Sequence, residues 1–343
     1  MKPPPIRPMK QFPADARVLA KELEPILLRM EHGRKESLAR ISEGWKRICL
    51  TALGTVVACI LVLLVLSQMG NLRGAGLVFL FIPILTGIIF CVVTYSKYIG
   101  AHSSNYRHAY KLQIIGGMTK LLRSSMTYSP ERGISETTFR DAGLYTTGID
   151  RYSSEDLFTG KIDKTEIMFS EVHAEDKRTR ADSKGRTRTY WVTIFKGLFL
   201  IADFHKDFRS WLTISPDFAE KSFGWFGRKI QGFSPNLIRL ENPEFEKAFV
   251  VHGSDQVEAR YILTPDMQER LLTLRNRYGA DIRLSLKNSQ LYLSIPNVDD
   301  WFEPNMQLPA NDLSQMQTFL NQMSHLFNVV EMLDLNTRIW SKH

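Results

Sequence analysis

Two uncharged apolar runs sit back to back near the N-terminus, residues 48–67 and 74–95. Each has the length of about 20 residues that an α-helix needs to cross a hydrocarbon core. Only residues 68–73 separate them, a connection too short to leave the bilayer by more than a turn. The two runs therefore predict a tight transmembrane hairpin with both flanks on one side. Three parts follow from this: a leading segment over residues 1–47, the hairpin over 48–95, and a water-soluble domain over 96–343.

Lys and Arg near the membrane ends set the orientation. Arg29, Arg34, Lys35, Arg40, Lys46 and Arg47 precede the first run and Lys97, Arg107 and Lys111 follow the second, whereas the turn offers Arg73 alone. The positive-inside rule then places both termini in the cytoplasm. Trp45, Tyr95 and Tyr98 suit the aromatic belt at that interface. A cleaved signal peptide fits poorly, because 47 mostly polar residues precede the first run.

The same topology accounts for the net charge of +8. Residues 1–47 carry 11 Lys and Arg against 6 Asp and Glu, and the part from residue 96 onward carries 32 against 30. The excess belongs to the segment beside the membrane, where an anionic leaflet attracts it, and no nucleic-acid partner is expected. Cys49, Cys59 and Cys91 all fall within the two runs, which leaves the soluble domain without a thiol for a disulfide or a metal. Small residues at Ala52, Gly54, Ala58, Thr86 and Gly87 allow close helix packing, and Pro83 predicts a kink. Neither run contains an Asp, Glu, Lys, Arg or His, so nothing reads as an ion or proton pathway.

Five prolines among residues 3–13 mark a disordered tip. From Asp15 a helical stripe of Val18, Leu19, Leu23, Ile26, Leu27, Met30, Leu38 and Ile41 begins, with Pro25 as a break or fresh start. That stripe needs cover, either from the soluble domain or, because its polar face is basic, as an interfacial or oligomer-forming helix. Beyond the hairpin, Tyr106, Tyr110, Ile114, Ile115, Met118, Leu121 and Leu122 recur at helical spacing. A short helix over 135–142 follows, and then the period changes to two. Residues 165–173 (with Ile167, Phe169, Glu171 and His173 on one side) and 187–204 read as strands around a polar tip at 177–186. Further strands are expected at 211–214, 237–240 and 249–252, and a hairpin at 281–286 and 291–295. Residues 243–248 and 255–261 read as short helices, 265–278 as a longer one, and an a/d seam from about residue 311 closes the chain, with Leu320 and Phe327 in the core. The fold class is a membrane-anchored α+β protein whose soluble domain has a mainly antiparallel sheet flanked by helices.

Phe195-Lys196-Gly197-Leu198-Phe199, Leu240-Glu241-Asn242-Pro243-Glu244-Phe245-Glu246-Lys247 running into Phe249-Val250-Val251, Asp255-Gln256-Val257-Glu258-Ala259-Arg260-Tyr261-Ile262-Leu263-Thr264-Pro265, and Phe302-Glu303-Pro304 together resemble the bacterial membrane-anchored family called domain of unknown function 3137. The resemblance runs over roughly residues 40–310 and implies a multi-pass protein of the bacterial inner membrane. It carries no catalytic or binding residues over to this chain.

Chemical motifs are sparse. Residues 224–227 lack the Lys-Ser/Thr of a phosphate loop, and the eight His never take metalloprotease spacing. His252, Ser254 and Asp255 contain triad residue types without a nucleophile elbow and fit helix capping better. No catalytic residue, metal or cofactor is expected. Two surface features are candidate lipid or partner contacts: Lys177, Arg178, Arg180, Lys184, Arg186 and Arg188 at the hairpin tip, and Trp225 and Phe226 between cations. The reading is a binding, scaffolding or regulatory module that meets a protein or itself at the membrane. Its alternatives are an anionic-lipid recognition domain and, third, an enzyme whose site is assembled from distant residues.

Overall fold

The structure, a computed structural model, describes residues 15–68, 78–181, 186–204, 208–217, 236–296, 301–333 and 335. They fall into two compact units, one of residues 20–114 with 304–316, the other of the remaining chain. The expected disordered tip, most of the hairpin turn, Lys184, Trp225 and Phe226 lie outside the described residues.

In the first unit, helix Glu24–Gln68 contains the whole first apolar run. A shorter helix, Ala16–Glu22, stops just before it, so Pro25 stands in the opening turn of the long helix, where its missing N–H costs no helical bond. Pro83, where a kink is expected, is the third residue of helix Phe81–Thr94. Helix continues through π-type segments Tyr95–Gly100 and Lys111–Ile115 as far as Leu122. Helices Glu24–Gln68 and Val78–Leu122 are long and apolar enough to cross a membrane, and none of the apolar window of the first is buried.

One glycine sets the approach of the two apolar helices. A Cβ on Gly87 would stand 2.3 Å from Thr55 Oγ1, so any larger residue there would force the Thr55 side chain or the helix to shift. Gly54 meets nothing within 4 Å, and Thr86 turns its hydroxyl back onto the carbonyls of Ile82 and Pro83. Neither makes the close packing expected of it. Trp45 meets Tyr95 edge-on at 6.5 Å and the Arg47 guanidinium sits 4.7 Å above the Tyr98 ring, a cluster of the aromatics and cations expected at an interface. Leu19, Leu23, Leu27 and Met30 are buried as the stripe requires, whereas Val18 and Leu121 are exposed.

A charged junction ties residues 304–316 to this unit. Buried Arg34 donates from Nε and Nη2 to the Glu31 carboxylate at 2.8 Å each and from Nη1 to the Met306 carbonyl at 3.1 Å. Glu31 in turn accepts the Ala310 N–H at 2.8 Å. The hydrogen bonds from Arg34 hold the Glu31 carboxyl down at about 2.

The second unit is built on a nine-stranded antiparallel sheet: β1 Met126–Ser129, β2 Arg151–Ile162, β3 Thr165–Ala181, β4 Thr187–Asp203, β5 Leu212–Pro216, β6 Leu237–Ile238, β7 Phe249–Gly253, β8 Arg283–Lys287 and β9 Gln290–Pro296. Their order is β1-β2-β3-β4-β9-β8-β5-β7-β6. The β8–β9 hairpin closes over Asn288 and Ser289, both at positive φ (55° and 57°), as a two-residue turn between twisted strands demands. Ser135, Asn242, Asp255 and Thr264 cap the helices that follow them, each accepting a backbone N–H in the first turn.

Both sheet faces are covered at the centre. On one, Phe169 of β3 stacks on Phe158 of β2 at 4.6 Å and meets Phe327 of helix Leu313–Met332 at 6.2 Å. On the other, Val172, Ala174, Phe195, Phe199 and Tyr292 pack against Phe139, Leu144 and Ile149. Ile167, Phe169, Glu171 and His173 do share a side, as the alternation predicts, yet burial passes at Ser170 to the opposite side. This double cover also explains the continuous apolar run in the second half of β4. Gly197 of β4 has φ 156°, and a Cβ there would stand 2.2 Å from the Ile295 carbonyl.

Candidate functional site

Strands β3 and β4 are both 17 residues long, far longer than their neighbours on either flank can pair. β9 pairs with β4 over Gly197 to Asp203 and β2 pairs with β3 up to Glu175. Beyond those points β3 and β4 pair with each other alone, down to Ala181 opposite Thr187. Of the expected loop tip at 177–186, residues 177–181 instead continue β3, so that Lys177, Arg178 and Arg180 are strand residues paired with β4. Thr179 on β3 and Thr187, Thr189, Tyr190 and Trp191 on β4 are residue types that favour a ladder.

The register sorts the candidate residues onto two faces. Residues directly opposite share a face, so Arg178 with Tyr190 and Arg180 with Arg188 lie on one, while Lys177 with Trp191 lies on the other. The tip cations are therefore divided rather than brought to one cluster. Arg186 is exposed just ahead of β4. On the arginine face Arg178 Nε donates to Asp176 at 2.9 Å, which raises the Arg178 pKa above its ordinary value. Among the described residues Arg180 and Arg188 have no ion-pair partner, although they stand directly opposite each other. The far face is closed off at its base. Arg151 is held by Glu175 at 3.0 Å and lies 3.9 Å over the Trp191 ring, and the Lys177 N–H donates to Asp150 at 2.8 Å.

A second constellation joins positions far apart in sequence. Glu155, Asp156 and Glu303 bring one carboxylate oxygen each to within 4.8 Å of one another, and these are the described residues whose grouping could hold a metal ion. Asp156 is buried at a bulge in β2 with φ 56° and accepts the Tyr128 hydroxyl. Burial, followed by the nearby Asp156 charge, pushes the Tyr128 phenol well above its usual range. Exposed acids gather in this way without a ligand as well. Glu155 also borders an open cleft of about 530 Å³ whose polar lining includes Ser153, Glu171, His173 and Lys196. Glu303 falls in one of the motifs that carried the family resemblance, which is the signal that could have drawn attention to it.

The triad types do not assemble a site. Asp255 caps helix Gln256–Ile262 by accepting from Val257 and Glu258, and Ser254 Oγ accepts the Trp211 N–H at 3.2 Å.

Residues 193–335 match the family model described as Protein of unknown function (DUF3137), so the resemblance holds over the inner part of β4 and all that follows it to residue 335. The matched segment lies wholly beyond the two apolar helices. Neither a curated protein nor a solved structure matches the chain.

Proposed function

We propose that this chain is an integral membrane protein, held by a two-helix hairpin with both termini in the cytoplasm, whose sheet domain binds a partner at the membrane and scaffolds or regulates there. One observation carries the anchoring: the apolar side chains of both long helices point outward, with Leu50 at 68 % and Phe81 at 68 % exposure. A patch of that extent is not left facing water by a monomeric soluble protein. The Lys and Arg distribution supports the orientation. The binding role is supported by the outer ribbon, an element that extends beyond the packed sheet.

Alkaline extraction of membranes tests the anchoring. The full chain should stay in the pellet with the lipid, and its release with peripheral proteins would overturn the proposal. Reporters active only outside the cytoplasm should be silent when fused after His343 and active when inserted between Gln68 and Val78, and the reverse pattern would overturn the orientation.

A further inference from the structure

We infer that the arginine face of the outer ribbon docks on anionic lipid headgroups of the bilayer in which the chain is anchored. This rests on the anchoring proposed above.

The argument starts from a cross-strand pair that is unfavourable in isolation. Arg180 and Arg188 are directly opposed, and like charges at such positions destabilise a ladder. Arg178 is one pair further along on the same face, where it forms an ion pair with Asp176. Opposed guanidiniums become an asset when an anion bridges them, because the planar fork of Arg matches a phosphate in bidentate geometry. Tyr190 completes the face, exposed at 45 %, and supplies an apolar ring with a polar end of the kind that settles at headgroup depth.

Shape narrows the occupant. In its outer part the described residues of the ribbon, 177–181 and 187–191, are all exposed and form an extended surface. It suits a plane of many phosphates. A chain anchored in the bilayer also presents the ribbon to headgroups at high effective concentration, so weak individual contacts suffice.

The test uses the full chain in lipid nanodiscs. Cys49, Cys59 and Cys91 are replaced by Ser, Ala181→Cys at the outer end of β3 carries a fluorophore, and a fraction of the lipids carries a headgroup-level quencher. Discs holding about 30 % anionic lipid should quench the label at least about twofold more than discs of neutral lipid, and the difference should fade in about 0.5 M salt, where the Debye length is a few ångströms. The triple variant Arg178→Gln, Arg180→Gln, Arg188→Gln should quench only to the neutral level. Replacing the same three by Lys preserves charge and should keep most of the anionic effect, which separates a binding loss from a folding loss. Equal quenching in both kinds of disc, or an anionic effect that survives the Gln variant, overturns the inference and leaves an acidic protein surface as the partner to pursue. Failure of the chain to enter discs at all would instead overturn the anchoring.

Discussion

Strands β3 and β4 are each one continuous strand, yet their two halves live in different surroundings. The inner half, around Phe169, Val172, Leu198 and Phe199, is buried on both faces, whereas the outer half from Lys177 to Ala181 and Thr187 to Trp191 is exposed throughout. The ladder is the same along both. The difference shows that hydrogen bonding continues a ribbon but apolar cover anchors it, since net stabilisation per hydrogen bond is small beside that of a buried ring. What lies beyond the cover is free to carry charge.

The largest expected effect tests the anchored half. Phe169→Ala should cost about 3 to 5 kcal/mol, as should Phe327→Ala from the facing helix, whereas Thr179→Ala in the outer half should stay within about 0.5 kcal/mol. Chemical unfolding of the full chain in detergent reads all three, and equal costs for Phe169→Ala and Thr179→Ala would break the contrast.

A region held by charge rather than by rings sharpens it. The Glu31 side chain is 17 % exposed and its folded pKa of about 2 lies below the ordinary 4.5. A depressed carboxylate contributes stability above its unfolded pKa and loses it as pH falls through the folded one. Between pH 4.5 and about 2 this junction should therefore lose up to about 3 kcal/mol, seen as faster amide exchange over residues 304–312. Glu31→Gln should abolish that pH dependence.

Smaller still is the stacking at the ribbon's base. Trp191→Ala should remove roughly 0.5 to 1 kcal/mol of local stability, visible as faster exchange over residues 187–193 with the inner strands unaffected. The smallest effect has the opposite sign. Arg188→Glu places an acid opposite Arg180 and should stabilise the ribbon by a few tenths of a kcal/mol while removing its anionic preference. Destabilisation by that change would show that the opposed arginines are not repelling each other.

Much of the architecture is written in local signals. Apolar length marks the two long helices, capping residues such as Ser135 and Thr264 mark where helices start, and the period-two runs give most strand positions. Strand ends are less legible. Lys177 and Arg178 look like loop residues because charge at a hairpin usually means a solvated turn, and only the partner across the ladder reveals them as strand. Their division between faces depends on register, which the bulge between Ala174 and Glu175 shifts. The grouping of Glu155 and Asp156 with Glu303 is invisible for a different reason: it is created where the turn at 301–303 packs on β2, between positions about 150 apart in sequence.

The strand order has a consequence for how the chain can be made. β1 to β4 form one contiguous run in the sheet and β5 to β7 lie in another, but the hairpin that joins them, β8 and β9, is not complete until residue 296 has been synthesised. Until then the inner edge of β4 and the edge of β5 are open, apolar and able to capture foreign strands. The helices that begin at Glu24 and Val78 emerge from the ribosome long before this, so a nascent chain that inserts them is confined to a bilayer surface while its sheet is still in two parts. Release after β5 and β7 but before β8, between about residues 253 and 283, should therefore produce fragments that aggregate rather than fold.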